Sequence, residues 1–302
     1  MKIVFTALFL VTGLSIFAQN RFFYEYKYIP DSSNREDVKT EMMLLDIDKN
    51  GSSYYSRDKF IADSTSMANL QKQLKGGSGN LNVNRKDNAG QVGYKVTKSY
   101  PDYKTFLITR VSMDQYKIIE DRKPEWKILP EKQKIGAYNA QKATASYGGR
   151  EWVAWFTTEI PFQDGPYKFY GLPGLIVQIE DTTGSHRMTL QGNKKTEAFA
   201  ALSETELPGN VKIMGIGGKE IEVTEDQFKK VWKAYVNDPS KNMREMMMRN
   251  GGDNNNTRVT FKVQTQDGRE ITDQNQVFRE IEKNTKESLA KNNNPIEPDL
   301  YK

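Results

Sequence analysis

Apolar and polar residues alternate with period two over much of the chain. In residues 21–29, Phe22, Tyr24, Tyr26 and Tyr28 fall on one face and Phe23, Glu25, Lys27 and Ile29 on the other, which predicts a strand with its tyrosine face buried. Residues 40–48 and 52–60 flank Asn50-Gly51, a strong hairpin signal. Segments 92–100, 105–111, 115–120, 125–129, 137–147 and 187–198 follow, each bounded by turn residues. That spacing, with no helical pattern between segments, predicts one continuing antiparallel meander and not βαβ units.

The most apolar stretch is 151–181. Val153 and Trp155 share one face of a strand and Trp152, Ala154 and Phe156 the other, so both faces are expected to be covered. Pro161 ends this strand because it has no N–H for a ladder. Asp164-Gly165-Pro166 is a turn cluster, and Pro173-Gly174 suits the two central positions of a type II turn. Leu175, Val177 and Ile179 then line one face of a second strand, completing a core hairpin.

Helical spacing appears in four places. Residues 61–75 carry Met67, Leu70 and Leu74, and Thr224 precedes Gln227 at capping-box spacing before a stripe of Phe228, Val231, Trp232 and Tyr235. Residues 241–249 and 273–291 complete the set, the last with Val277, Phe278 and Ile281 on one side. The end of the chain, with Asn292 to Asn294 and two prolines, reads as a mobile tail. Together these elements predict a mainly β protein of the α+β class: a curved antiparallel sheet or half-barrel with helices packed on one side. Residues 19–302 form a single domain whose part at 224–291 is helical.

Lys2, the apolar run 3–17 and the small Ala18 read as a signal peptide over residues 1–18. The run is shorter than the ~20 residues that span a bilayer as a helix, and no later stretch is apolar enough to do so. An exported protein is expected, in the periplasm, at the outer membrane or on the cell surface. The 302 residues include 44 Lys+Arg, 39 Asp+Glu and no cysteine. Removing Lys2 leaves 43 basic residues against 39 acidic, a formal +4 of interspersed sign. This balance assigns no nucleic-acid partner, and without disulfides stability must come from the core.

Candidate chemistry is sparse. The single histidine, His186, follows a Gly184-Ser185 turn with no nucleophile elbow around any serine, so it is read as a surface turn residue and not as a catalytic base. One histidine without cysteine disfavours zinc. Met243, Met246, Met247 and Met248 suit a soft copper ion in principle, but with no histidine or cysteine beside them they are read as gap-filling residues. Gly215 to Gly218 lacks the strand, helix and Lys-Ser/Thr context of a phosphate loop. Glu159, Asp164, Glu180 and Asp181 cluster without the signature of a glycosidase pair and read as solvated turn and strand-end residues. No catalytic residue, metal or cofactor is assigned.

Aromatic residues are the more suggestive surplus. Trp126, Trp152, Trp155, Tyr167, Phe169 and Tyr170 crowd residues 126–170. Trp152, Trp155, Tyr167, Phe169 and Tyr170 are the candidate ligand-binding residues, lining a concave face that takes a hydrophobic ligand or an exported polypeptide. The alternatives are an interaction subunit of an outer-membrane or secretion assembly and a carboxylate-dependent hydrolase.

The run Gly171-Leu172-Pro173-Gly174-Leu175-Ile176 spells the motif of the GLPGLI family of secreted envelope proteins, which this chain resembles. Ile135-Gly136, Tyr138, Gln141-Lys142-Ala143, Trp155-Phe156-Thr157, Glu159-Ile160-Pro161 and Gly165 through Phe169 extend the resemblance over about 50 residues. Ala140 stands where many members carry a cysteine, so no thiol role is carried over. The resemblance implies an envelope address and a β-rich fold, and no established activity. The order of Trp126, Tyr138 and the strand at Lys142-Ala143 is also similar to half-barrels of the lipoprotein-carrier and sigma-regulator type, a likeness of fold alone.

Overall fold

The computed structural model describes residues 18–75, 90–197, 220–250, 263–264, 270–271 and 273–302. Outside them lie residues 1–17 of the expected leader, Leu207-Pro208-Gly209, Gly215 to Gly218, the runs Gly76 to Asn80 and Gly251 to Asn256, which read as loops from their glycines and asparagines, and residues 259–262 of a segment, 259–263, that reads as a strand.

Although the segment expected at 125–129 runs from Lys127 on to Ile135, alternating sequences become strands largely as expected. They are β1 Ala18–Tyr28, β2 Lys39–Ile47, β3 Gly51–Ser56, β4 Lys95–Ser99, β5 Lys104–Val111, β6 Asp114–Glu120, β7 Lys127–Ile135, β8 Tyr138–Tyr147, β9 Arg150–Thr157, β10 Leu175–Asp181, β11 His186–Glu197 and β12 Ile221–Thr224. All twelve join one sheet in the order β12-β6-β5-β4-β3-β2-β1-β11-β10-β9-β8-β7. Every pairing is antiparallel except β12 with β6.

The single meander is therefore two. One runs outward from β1 to β6 and the other from β11 back to β7, and β1 pairs with β11 where they meet. Residues 121–126 connect β6 to β7, yet ten inter-strand steps part these strands in the sheet. Laid flat, ten steps cover ~48 Å, while the chain from Glu120 to Lys127 reaches at most ~25 Å. The sheet must curl until its edges approach, an unclosed half-barrel.

The tyrosine face of β1 is buried as expected, with Phe22, Tyr24 and Tyr26 beside Met43, Leu45, Tyr54 and Met188 on the concave side. Helix α1, Arg57–Lys75, begins four residues earlier than the spacing predicts. Ser56 explains the shift, because its Oγ accepts the Lys59 N–H and starts the helix as a cap. This helix contacts β2 and β3, where Arg21, bonded to Asp46 at 2.7 Å, lies over the Phe60 ring. Helix α2, Glu225–Asn237, opens with the expected capping box at Thr224 and Gln227 and packs Phe228 on Tyr116 of β6. Helices α3, Lys241–Asn250, and α4, Gln274–Lys291, follow, joined by Glu282 to Ser240 and Arg244.

The expected mobile tail is a correction. Residues 293–301 lie against the half-barrel, with Ile296, Glu297 and Leu300 buried. The groups that bind Asn294 and Glu297 stand more than a hundred residues earlier in the chain, so composition and terminal position give no sign of them.

Candidate functional site

Two irregular stretches occupy the concave side: the connector 158–174 between β9 and β10, and the strap 293–301. The connector winds around one ammonium group. Lys98 on β4 donates to the carbonyls of Gly165, Tyr167 and Phe169 at 2.8, 2.9 and 3.3 Å and pairs with Asp164 at 2.6 Å. Both side chains are fully buried, at 0% exposure, so the charge is tolerable only because four acceptors surround it. Burial pushes the Lys98 amine down, and Asp164 pulls it back. Tyr100 also donates to Asp164, and Trp126 Nε1 donates to the Tyr170 carbonyl at 2.8 Å. Tyr167 takes a positive φ of 55°, an uncommon conformation for a bulky residue, held by the Lys98 bond to its carbonyl.

The hexapeptide 171–176 closes this connector onto the sheet. Leu172, Leu175 and Ile176 are buried, and Ile176 N–H reaches the Asp164 carbonyl at 3.0 Å. The expected type II turn is absent: Gly174 N–H bonds the Leu172 carbonyl at 2.7 Å, a three-residue turn around Pro173. Gly174 has φ +150°, and a Cβ there would stand 2.0 Å from the Thr157 carbonyl oxygen. The motif's second glycine is thus a point of backbone contact with β9, which a side chain would force apart.

Arg150 and three further cationic or phenolic groups hold the strap. Arg150 donates to Asn294 Oδ1 at 2.6 Å and to the carbonyls of Pro295 and Ile296 at 2.7 and 3.2 Å, while pairing with Asp181 at 3.0 Å. Asn294 bonds the Ile29 and Pro30 carbonyls through Nδ2 and its backbone N–H. Glu297 is paired with Lys168 at 2.6 Å and Arg122 at 2.8 Å and accepts from the Tyr167 hydroxyl. Lys168 and Arg122 also bind Glu120. Burial alone would raise the Glu120 carboxyl, but the Arg122 hydrogen bonds and Lys168 outweigh it and hold the group at about 2. Gly148 and Gly149, both at positive φ, form the β8–β9 turn beneath the strap. A Cβ on Gly148 would stand 2.6 Å from Glu297 Cγ. Gly148→Ala is expected to lose about 1–2 kcal/mol from its backbone conformation and more from that contact, read as a lower midpoint in urea.

His186 is also a correction, for it is buried and not a surface turn residue. Nδ1 lies 2.8 Å from the Tyr26 hydroxyl, and Asp181 accepts the His186 N–H at 2.7 Å. Burial first, then the Arg150 charge, push the imidazole down to about 3 against the pull of Asp181. An unfolded chain binds that proton near pH 6.5 and the folded chain does not, so stability present above pH 6.5 falls as pH drops toward 3. Glu120 adds a second loss, from about 4.5 down to about 2. Urea titrations from pH 8 to 3 should follow this decline, and His186→Asn should flatten its upper part. Constant wild-type stability from pH 7 to 5 would refute the buried neutral imidazole.

The five candidate aromatic residues do not form one open face. Trp152, Tyr167 and Phe169 meet inside, with Phe169 4.8 Å from Trp152 and 6.1 Å from Tyr167 between ring centroids. Trp155 falls on the opposite face of β9, across from Lys142 and Gln178. Tyr170 is half-exposed and stacks on Tyr103 at 4.6 Å. The four acids separate too: Asp164 and Asp181 are buried, not solvated, each within its own set of donors, Glu180 pairs with Arg187, and Glu159 accepts from Asn139. Among the described residues no group of three or more His, Cys, Asp and Glu is placed to hold a metal. Met243 is half-buried on α3, and the side chains of Met246 to Met248 lie outside the described set. Sequence reasoning missed Lys98, Arg122, Arg150 and Glu297. A charged residue inside an alternating strand, as at Lys98 between Val96 and Tyr100, was the one available signal.

Residues 148–178, which span β9, the connector and the start of β10, match a family model described as "Protein of unknown function (Porph_ging)". That family has no assigned function. Its match covers the segment around Lys98's acceptors and the hexapeptide, so what it describes is the clamp between β9 and β10. Two solved chains of PNGF-II, in space groups P21 and C2, are 12% and 13% identical with TM-scores of 0.44 and 0.46. Each likeness covers 70% of this chain and 32% of that one, so the chain spans about a third of their length. No curated protein matches the sequence.

Proposed function

We propose that the protein is a non-catalytic, exported envelope protein that binds an extended segment of exported polypeptide in the concavity of its half-barrel. The observation that carries this reading is the way the concave side holds its own irregular chain. Lys98, Arg150, Trp126 and Tyr24 all aim side-chain donors at backbone carbonyls of the connector, the strap or Ile176. Donors directed at carbonyls hold polypeptide whatever its side chains, and the apolar groups between them accept alternate residues. A hydrophobic small molecule is the weaker reading, because it would have to part Trp152, Tyr167 and Phe169 from one another. Contact through the edge strand β7 is opposed by Lys127, Pro130, Lys132 and Lys134, which blunt that edge against strand addition. The leader-like run 3–17 supports export.

Dilution of an unfolded, cysteine-blocked secretory polypeptide into buffer, followed by light scattering, tests the reading. Suppressed aggregation at near-equal molar ratio, with co-sedimentation of the two chains, is the expected result. Unchanged scattering together with separate sedimentation at tens of micromolar overturns it.

A further inference from the structure

The strap sits in the half-barrel as a ligand would. It adds no strand to the sheet, being irregular up to the 3-10 turn Pro298–Tyr301, so the twelve-stranded ladder is complete without it. What holds it is a series of side-chain contacts at fixed intervals. Asn294 is read from both sides, by Arg150 on its Oδ1 and by the Ile29 carbonyl on its Nδ2. Pro295 has no N–H to satisfy and offers its carbonyl to Arg150. Three residues after the asparagine, the buried Glu297 meets the buried Lys168 and Tyr167 hydroxyl on one side and the partly exposed Arg122 on the other. Three residues further, Leu300 is buried beside Tyr301, which packs 5.0 Å from Trp232.

We propose that this groove is a peptide-binding site with the strap as its displaceable occupant. Its ligand is an exported polypeptide segment carrying Asn-Pro, a carboxylate three residues after the asparagine and an aliphatic residue three beyond that. The assignment rests on the polypeptide-binding reading and adds the chemistry of the segment. A strap tethered to the groove competes with any such segment, so weakening the strap must raise affinity for one supplied separately.

The test uses a fluorescently labelled peptide of residues 291–302 and the full chain carrying Asn294→Ala, which loosens the strap while leaving the Glu297 ion pairs. The peptide is expected to bind the variant at least ~10-fold more tightly than the wild type, and peptides carrying Glu297→Gln or Asn294→Ala to bind ~10- to 100-fold more weakly. Equal affinity for the three peptides overturns the assigned chemistry while leaving general polypeptide binding intact. No binding of any peptide to a variant that is folded by circular dichroism overturns the site itself. Self-association of the variant into dimers in place of peptide uptake overturns it as well, by giving the groove to a second copy. Should the variant not fold, a photo-crosslinking form of the peptide in large excess over wild type decides: adducts at residues 148–150 or 167–168 support the site, and their absence overturns it.

Discussion

Replacing Lys98 by methionine is expected to destabilise the protein by about 3–5 kcal/mol, the cost of breaking a buried ion pair from one side. Methionine fills much the same volume, so the loss is electrostatic and not a cavity. Without the ammonium, Asp164 remains as a buried carboxylate beside the Tyr100 hydroxyl, and the carbonyls of Gly165, Tyr167 and Phe169 lose their shared donor. The positive φ at Tyr167 loses the bond that holds it, so the connector should open before the sheet does. Hydrogen exchange of residues 164–176 in Lys98→Met, compared with β1 and β2, checks the order of opening. Adding Asp164→Leu should recover much of the loss, because removing both charges leaves no unpaired ion. If Lys98→Met unfolds at the wild-type urea concentration, the connector is not organised around that ammonium.

The second large effect is expected at Glu297. Glu297→Ala removes one buried carboxylate, but Lys168 stays paired with Glu120 and the partly exposed Arg122 with Glu120 and Glu225, so the loss is that of charged hydrogen bonds, about 1.5–3 kcal/mol. Leu300 and Ile296 should become exposed at the same time, since the strap is fixed on either side of this residue. The isosteric Glu297→Gln keeps the volume and the bond to Tyr167, so it separates charge from packing. A loss in the glutamine variant close to that in the alanine variant places the effect on the charge. Protease sensitivity of the last ten residues is an independent readout, and an unchanged cleavage rate in Glu297→Ala would sink the account of the strap.

Much of the architecture was legible because alternation is local. The buried face of β1, the capping box at Thr224, the two strands around the hexapeptide and the curved, mainly antiparallel character all follow from neighbours within a few positions. What escaped is long-range. The meander reads continuously through residues 115–129, and only the pairing of β1 with β11 reveals that β7 forms one edge while β6, with β12 beyond it, lies next to the other. The strap failed for the same reason, since Asn294 and Glu297 look like polar tail residues until Arg150 and Lys168 are set beside them. His186 and Asp181 look like members of a solvated turn, yet both are buried, His186 against the strap backbone at Asn294 and Pro295 and Asp181 against Arg150. The aromatic residues were found, but alternation already placed Trp155 away from Trp152, and the connector brings Tyr167 and Phe169 inward as packing.

The pairing of β1 with β11 has a kinetic consequence. Residues 18–28 meet residues 186–197 at the centre of the sheet, so neither meander gains its neighbour until most of the polypeptide is present. Contacts of such high sequence separation slow folding, since the chain entropy of a long loop must be surrendered before the contact forms. Until then β1 stands as an open edge with its tyrosines in water, and the nascent chain passes through an interval in which it would stick to other chains before it closes on itself.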